Sequence, residues 1–276
     1  VYGEEAIRWL YGTRMGEFFS GIATSSLVSR AYGYIQSSAY SQKKIKPFIE
    51  KFNIDMSEYE DTQFKTFNEF FIRKFKPGKR PFASDLKVMP AFAEGRYLGF
   101  ESVTKEQKFP VKGAFLTALA LTGSLDVARR FHGGPMFIAR LCPVDYHRFH
   151  YPDDGRTQEH YRVEGGLHSV NPIALEYKND IFATNERVVS ILETENFGTL
   201  AYIEVGATMV GRIVQSHTDP RNFARGDEKG YFLFGGSTVI VLGEPGRWKP
   251  DADILSKTSN QKECFIRLGE GIAHTN

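Results

Sequence analysis

Short runs of β-branched and aromatic residues, punctuated by glycine, fill the chain after Pro81 and constrain its fold most strongly. Such runs are typical of strands, and they occur at 96–100, 136–142, 188–192, 200–205, 209–214 and 231–242. Before Pro81 the apolar residues recur at steps of three and four, as on an amphipathic helix. The sequence therefore predicts an α+β protein, in which a helical N-terminal segment at 1–85 flanks a β-rich domain at 86–276.

Three helices are predicted in the N-terminal segment. The first covers residues 4–22, and the second covers about 44–52. The third begins at Thr66, because Thr66 and Glu69 have the spacing of a capping box. Pro77 and Gly78 are expected to end this third helix, since proline cannot continue it.

Composition and charge exclude several classes of protein. The 276 residues are 41% hydrophobic and 25% charged, as in a folded protein. No apolar run approaches the length of a membrane-spanning helix. The net charge of +2 gives no overall field that would attract nucleic acid. Cys142 and Cys264 form neither a disulfide framework nor a zinc-binding spacing, so we expect a reducing compartment.

Two clusters in the N-terminal segment combine basic residues with phenylalanines. The clustered residues are Lys43, Lys44, Lys46, Phe48, Lys51 and Phe52, then Phe70, Phe71, Arg73, Lys74, Phe75, Lys76, Lys79 and Arg80. In one interpretation the basic residues and exposed aromatic rings contact an anionic lipid surface. In the other, the phenylalanines are the core side of helices and the lysines are the solvated side. Both interpretations stay open at this stage.

Three places in the β-rich domain could carry chemistry. His147 and His150 follow an apolar strand, and they would form a metal site only with a third ligand that the spacing does not supply. Gly235 and Gly236 interrupt strand sequence just before Ser237, either as a β-bulge or as a strained turn that exposes a carbonyl to the serine hydroxyl. The third place is the carboxylate of Glu94, at the first strand of the domain.

These segments, in this order, resemble the phosphatidylserine decarboxylase family of self-processing pyruvoyl enzymes. The resemblance extends over most of the chain. It rests on TFNEFFIRK at 66–74, KPG at 76–78, RP at 80–81, DYHRFH at 145–150, GGLHSVNPIA at 165–174, NERVV at 185–189, VGATMVG at 205–211, GDEKGYF at 226–232 and GGST at 235–238.

The resemblance implies a self-cleavage that makes the cofactor. The hydroxyl of Ser237 attacks the carbonyl of Gly236, the chain is cut between these two residues, and the remnant of Ser237 becomes a pyruvoyl group. A serine hydroxyl needs a base to take its proton. By resemblance that base is His150, and a carboxylate at Glu94 orients it.

The family usually has aspartate where this chain has Glu94. The carboxylate is retained but lies one methylene further from the backbone, so Asp145, Asp153 or Asp154 are alternative sources of the acid group. The pyruvoyl group then acts as the electron sink of a decarboxylation.

Three further residues are assigned to that decarboxylation. His147 is the candidate for protonating the product carbon. Arg140 is a candidate for binding a carboxylate or phosphate of the substrate, and His168 is a second substrate-binding candidate.

The activity that the resemblance implies is decarboxylation of phosphatidylserine to phosphatidylethanolamine. The enzyme would be peripheral, at the cytoplasmic side of a membrane, with a phospholipid substrate and no nucleic-acid partner, and assembly into a homo-oligomer stays open. The alternatives are a decarboxylase of a soluble aromatic amino acid, an uncleaved non-catalytic lipid-binding homologue, and a metal hydrolase that uses His147 and His150.

Overall fold

The structure, a computed structural model, describes most of the chain. The described residues are 8–9, 12–13, 33–104, 116–170, 172–178, 180–207, 212–217, 221–235 and 237–276. The helix predicted at 4–22 lies almost wholly outside this set, and Gly236 of the predicted cleavage site lies outside it too.

An antiparallel eight-stranded sheet is the centre of the described structure. In chain order, the strands of the described residues are β1 (Val88–Pro90), β2 (Gly95–Phe100), β3 (Met136–Leu141), β4 (Arg148–His150), β5 (Gly155–Val163), β6 (Arg187–Thr194), β7 (Thr199–Val205), β8 (Ile213–Gln215), β9 (Asn222–Phe223), β10 (Glu228–Phe232), β11 (Ser237–Gly243), β12 (Trp248–Pro250), β13 (Cys264–Ile266) and β14 (Gly271–Thr275). The large sheet has the order β13-β2-β3-β11-β7-β6-β5-β9, and two three-stranded sheets have the orders β1-β14-β12 and β4-β10-β8.

Helices accompany these sheets, so the predicted α+β class is confirmed. They are α1 (Ile45–Phe52), α2 (Phe67–Phe71), α3 (Ala118–Thr122), α4 (Leu125–Phe131), α5 (Pro172–Tyr177), α6 (Ile181–Thr184) and α7 (Ala252–Ser259), with 3₁₀ turns at Ala39–Lys44 and Met56–Glu58. Among the described residues, no helix combines the length and the apolar character needed to cross a bilayer.

Most of the glycine-punctuated runs form strands where they are predicted. β2, β3, β6 and β7 match their runs closely, whereas β8 begins only at Ile213 and the first half of its predicted run, 209–211, is outside the described residues. The run at 231–242 is two strands, β10 and β11, rather than one. The break includes Gly235, whose φ of 147° is a conformation that residues with side chains rarely adopt.

β11 lies in the middle of the large sheet, and this places its first residue, Ser237, in the core. The strand pairs with β3 on one side and with β7 on the other. All of its residues are buried. Because both edges and both faces of β11 are covered, the backbone that follows the predicted cleavage site is held firmly.

α2 begins at its predicted cap but ends earlier than predicted. The hydroxyl of Thr66 accepts a hydrogen bond from the backbone N–H of Glu69 at 3.1 Å. The helix ends at Phe71, so the predicted end at Pro77-Gly78 is wrong. The chain leaves the helix there and carries the side chain of Arg73 into the interior, where it is 1% exposed.

The phenylalanines of the N-terminal segment face the core. A single apolar cluster joins α1 and α2 to the cleavage segment and contains Phe48, Phe67, Phe70, Phe71 and Phe234. Phe48, Phe70 and Phe71 are buried, and Phe52 and Phe75 are half-buried. The core-side interpretation is therefore confirmed for the buried rings, and a lipid contact through Phe48, Phe70 or Phe71 is wrong.

Candidate active site

Ser237 and His147 are in contact in the interior of the protein. The Nδ1 atom of His147 lies 3.2 Å from the hydroxyl oxygen of Ser237, and both residues are fully buried. The other ring nitrogen, Nε2, lies 2.9 Å from the carbonyl oxygen of Cys142. Because a carbonyl can only accept, Nε2 carries the proton and Nδ1 is left as the acceptor for the serine hydroxyl.

The surroundings of His147 keep its ring neutral. Burial lowers the pKa of His147 to about 3, and the positive charge of Arg73 contributes in the same direction. The ring of Phe71 stacks on the imidazole with 3.8 Å between centroids. An imidazole with so low a pKa is a weak base, whereas its protonated form is a strong proton donor.

The loop before His147 is fixed by two buried groups. The carboxylate of Asp145 accepts from the backbone N–H of Cys142 at 2.6 Å and pairs with Arg96 at 2.6 Å. Arg73 donates to the carbonyl of Val144 at 2.8 Å. These bonds hold both ends of the turn that presents the imidazole to Ser237.

His150 lies close by in sequence but has different partners. Its Nδ1 is 2.8 Å from the carbonyl oxygen of Gly226, so Nδ1 carries the proton. Its Nε2 accepts from the hydroxyl of Tyr146 at 3.3 Å. Burial lowers the pKa of His150, which keeps this ring neutral as well. The lone pair of Nε2 therefore points at Tyr146. To act on Ser237, Nε2 would have to give up its hydrogen bond to the Tyr146 hydroxyl.

Glu94 is buried and paired with an arginine. Its two carboxylate oxygens accept from Arg80 at 2.5 and 3.0 Å, and it also accepts from the backbone N–H of Leu268 at 3.1 Å. Arg80 in turn bonds to Glu58. The structure thus places this carboxylate on Arg80, whereas the orientation of His150 comes from the Gly226 carbonyl.

The alternative carboxylates are also paired. Asp153 bonds to Arg225 at 2.9 Å, and Asp154 accepts from the backbone N–H of the same Arg225 at 2.9 Å. Asp145 pairs with Arg96, as described above. None of these described contacts joins a carboxylate to His150, so the predicted acid group remains a prediction.

The two predicted substrate-binding residues have different surroundings. The guanidinium of Arg140 is paired with Glu263, with distances of 2.7 and 2.5 Å, and it also bonds to the sulfur of Cys142. His168 is half-buried, and its backbone N–H and carbonyl are held by the side-chain amide of Asn185 at 2.9 and 2.8 Å. Arg140 could bind a substrate anion only by leaving Glu263.

Sequence reasoning missed the contributions of Arg73 and of the Cys142 carbonyl. Arg73 acts on a carbonyl 71 residues away in the chain, and the Cys142 carbonyl, although it is only five residues from His147, leaves no signature in residue types. An arginine that directly follows the apolar residues 70–72 is the one signal that could have drawn attention to Arg73. Within the described residues, no group of three His, Cys, Asp or Glu side chains could hold a metal ion, so that part of the chain gives no support to the metal-hydrolase alternative.

Comparisons with known proteins agree on one family. Residues 67–274 match the family model of phosphatidylserine decarboxylase. The chain is 39% identical to the phosphatidylserine decarboxylase proenzyme of Clostridium kluyveri over 275 residues. This alignment covers 99% of this chain and 93% of that protein. The chain is 38% identical to the proenzymes of Clostridium novyi and Desulfitobacterium hafniense, with 99% of this chain covered and 93% and 94% of those proteins.

Proposed function

Because the chain belongs to the phosphatidylserine decarboxylase family, we propose that it converts phosphatidylserine to phosphatidylethanolamine after cutting itself between Gly236 and Ser237. The family predicted from the sequence motifs is confirmed, and so is the carboxy-lyase class. The observation that carries the proposal is the buried contact between His147 and Ser237, which supports residue 237 as the centre of the chemistry.

The self-cleavage needs only groups that the chain itself provides. The Ser237 hydroxyl adds to the Gly236 carbonyl, its proton passes to a base, and the peptide bond between the two residues gives way to an ester. Loss of the Cα proton of residue 237 and cleavage of its Cβ–Oγ bond then release Gly236 with a free carboxylate. The unsaturated remnant hydrolyses to a pyruvoyl group and ammonia, which balances the reaction.

The surroundings of Ser237 fit a pyruvoyl group at that position. The residue is buried, and the strand that follows is held by β3 and β7, so the new chain end would stay in place after cleavage. The group supplies a carbonyl that takes up the electron pair of the broken carbon–carboxylate bond. Nδ1 of His147 lies beside residue 237, so a proton that this nitrogen takes up during the reaction is within reach of the product carbon.

We propose different roles for the two histidines. His150 is the base of the cleavage, as the resemblance implies, and His147 delivers a proton to the product carbon. Burial lowers the pKa of both rings, so basicity does not separate them, and the division follows the family resemblance. The structure adds the condition that Nε2 of His150 exchanges its bond to Tyr146 for one to Ser237.

Contact with a membrane surface is proposed through the face of the N-terminal segment that carries exposed aromatic and basic residues. Tyr34 and Tyr40 are 81% and 67% exposed, and Ile35 is 47% exposed. Lys43 is exposed and its ammonium lies 3.4 Å from the centroid of the Tyr40 ring, and Lys46 is exposed one helical turn later. Exposed tyrosines next to lysines suit the headgroup region of an anionic, cytoplasm-facing bilayer.

The activity is tested with vesicles that contain phosphatidylserine. Purified protein is mixed with them, and released CO₂ and newly formed phosphatidylethanolamine are measured, with Ser237→Ala as the inactive control. Formation of both products by the wild type alone supports the proposal. Decarboxylation of free tyrosine instead would favour the soluble amino-acid alternative, and a cleaved chain that is inactive on both would contradict the decarboxylase assignment.

A further inference from the structure

Phe234, two residues before the predicted cleavage site, is held by both its backbone and its side chain. Its backbone N–H donates to the side-chain oxygen of Asn68 at 2.9 Å. Its ring packs edge-on against Phe67 and Phe71, with 5.1 and 5.0 Å between centroids. All three contacts come from α2, which belongs to the N-terminal segment.

Asn68 also bonds to Gly33 and Ser37, which lie earlier in the N-terminal segment. The residue is 5% exposed, and its amide nitrogen donates to the Ser37 hydroxyl at 2.8 Å and to the Gly33 carbonyl at 3.3 Å. The orientation of the amide follows from its partners, because a backbone N–H can only donate and a backbone carbonyl can only accept. Aspartate or leucine at this position could therefore not replace all three bonds.

The chain on the other side of the cleavage site is also fixed. Ser237 pairs with Leu141 of β3, and Thr238 pairs with residues of both β3 and β7. Only Gly235 and Gly236 connect Phe234 to this strand. A shift of Phe234 would therefore act on a bond that is only two residues further along the chain.

We propose that Asn68 is a positioning residue for self-cleavage: it anchors Phe234, two residues before the proposed cut, and so aligns this part of the chain for the attack by Ser237. This inference rests on the proposed cleavage between Gly236 and Ser237. An intramolecular attack depends steeply on alignment, and displacement of the reacting groups by about 1 Å can cost about 100-fold in rate. Asn68 touches neither reacting residue and acts through Phe234.

Three variants separate the anchor from general stability. Asn68→Leu removes the bond to Phe234 and the bonds to Ser37 and Gly33. Asn68→Asp keeps an acceptor for the Phe234 N–H. Ser37→Ala removes the bond between Asn68 and the Ser37 hydroxyl and leaves the bond from Phe234 to Asn68 intact, so it is the matched control.

The rate of cleavage is followed by denaturing gel and intact mass after cell-free synthesis of each full-length chain. We expect Asn68→Leu to slow cleavage by about 10- to 100-fold, Asn68→Asp to recover most of the rate, and Ser37→Ala to cleave at the wild-type rate. Thermal unfolding of each variant, made in a Ser237→Ala background so that all chains stay intact, reports stability separately. If Asn68→Leu does not fold, Asn68→Ala takes its place in the same comparison.

Hydroxylamine identifies the step that is affected, because it cleaves esters and leaves amides intact under mild conditions. If the anchor aligns the attack of Ser237, the uncleaved Asn68→Leu chain carries no ester and resists hydroxylamine. A chain that hydroxylamine cuts at residue 236 would show that the attack proceeds without the anchor, which would overturn the inference.

Two further results would also overturn it. One is cleavage of Asn68→Leu at the wild-type rate. The other is slowing of Ser37→Ala and Asn68→Leu in proportion to their loss of thermal stability, which would indicate a purely structural role. A wild-type chain that never cleaves would instead reject the proposed function, and the inference with it.

Discussion

Nδ1 of His147 lies 3.2 Å from the hydroxyl oxygen of Ser237, and the Cys142 carbonyl fixes the ring so that this nitrogen carries the lone pair. His150, three residues later, instead has its Nε2 on the hydroxyl of Tyr146. Of these two histidines, His147 contacts residue 237 and His150 contacts Tyr146, so substitution can separate their roles.

We expect His150→Ala to block self-cleavage, because it removes the proposed base. His147→Ala is expected to cleave more slowly than the wild type but to lose decarboxylation, since the ring nitrogen that would pass a proton to the product carbon is removed from beside residue 237. Fragment formation and CO₂ release are measured on the same preparations. An uncleaved His147→Ala chain together with a normally cleaved His150→Ala chain would reverse the two assignments.

The low pKa of His147 predicts a dependence of stability on pH. The unfolded chain has His147 with an ordinary pKa near 6.5, whereas burial lowers the folded value to about 3. Between these values the unfolded state binds the proton and the folded state does not, so stability falls as pH falls. The slope from this one residue is about 1.4 kcal/mol per pH unit.

Urea unfolding of Ser237→Ala and of the double variant Ser237→Ala/His147→Gln, between pH 4 and 7, isolates this contribution. The other histidines titrate in both proteins, so only the difference between the two profiles reports His147. We expect the single variant to lose more stability toward acid pH. Parallel profiles would show that His147 is not buried as a neutral ring.

A buried ion pair joins β10, which pairs with the strand of His150, to the large sheet. Lys229 donates to Glu204 at 2.6 Å, to Ser190 at 2.9 Å and to Gln215 at 2.8 Å, and it is 2% exposed. Lys229→Met leaves Glu204 buried without its cation, so we expect a loss of about 3–5 kcal/mol in the free energy of unfolding. The double variant Lys229→Met/Glu204→Leu should recover most of this loss. If the double variant is as unstable as Lys229→Met alone, the unpaired carboxylate is not the cause.

The membrane proposal predicts salt-dependent binding to anionic vesicles. Each lysine near an anionic surface contributes on the order of 1 kcal/mol, so Lys43→Glu/Lys46→Glu should weaken sedimentation with such vesicles at low salt. Higher ionic strength should release the wild type, and neutral vesicles should bind it weakly. Lys262→Glu, at an exposed position of the β-rich domain, is the control. Equal weakening by Lys262→Glu would point to net charge rather than to the proposed face.

Much of the strand pattern could be predicted, because a buried strand needs a continuous apolar run and this chain marks the ends with glycine. The break between β10 and β11 was harder to predict, since a glycine pair between two strands has the same sequence signature as a bulge within one strand. The end of α2 at Phe71 depends on the burial of Arg73, a tertiary contact that local propensity does not encode.

The candidate site residues were proposed by resemblance, but their partners could not be predicted. Glu94 pairs with Arg80, and Arg140 pairs with Glu263, at separations of 14 and 123 residues along the chain. No local sequence pattern encodes either pair, because both depend on how the chain packs. The burial of Phe48, Phe70 and Phe71 could not be predicted for a related reason, because the direction of each ring is set by the packing of α1 and α2 together.

The central claim is that Ser237 becomes the cofactor, and the intact mass of the denatured wild-type protein tests it most directly. We predict two fragments: residues 1–236 with a free carboxylate, and a fragment from position 237 that is lighter, by the mass of ammonia, than one beginning with serine. Ser237→Ala should give a single full-length chain. A wild-type protein that remains one uncleaved chain, or a second fragment that begins with unmodified serine, would contradict the account.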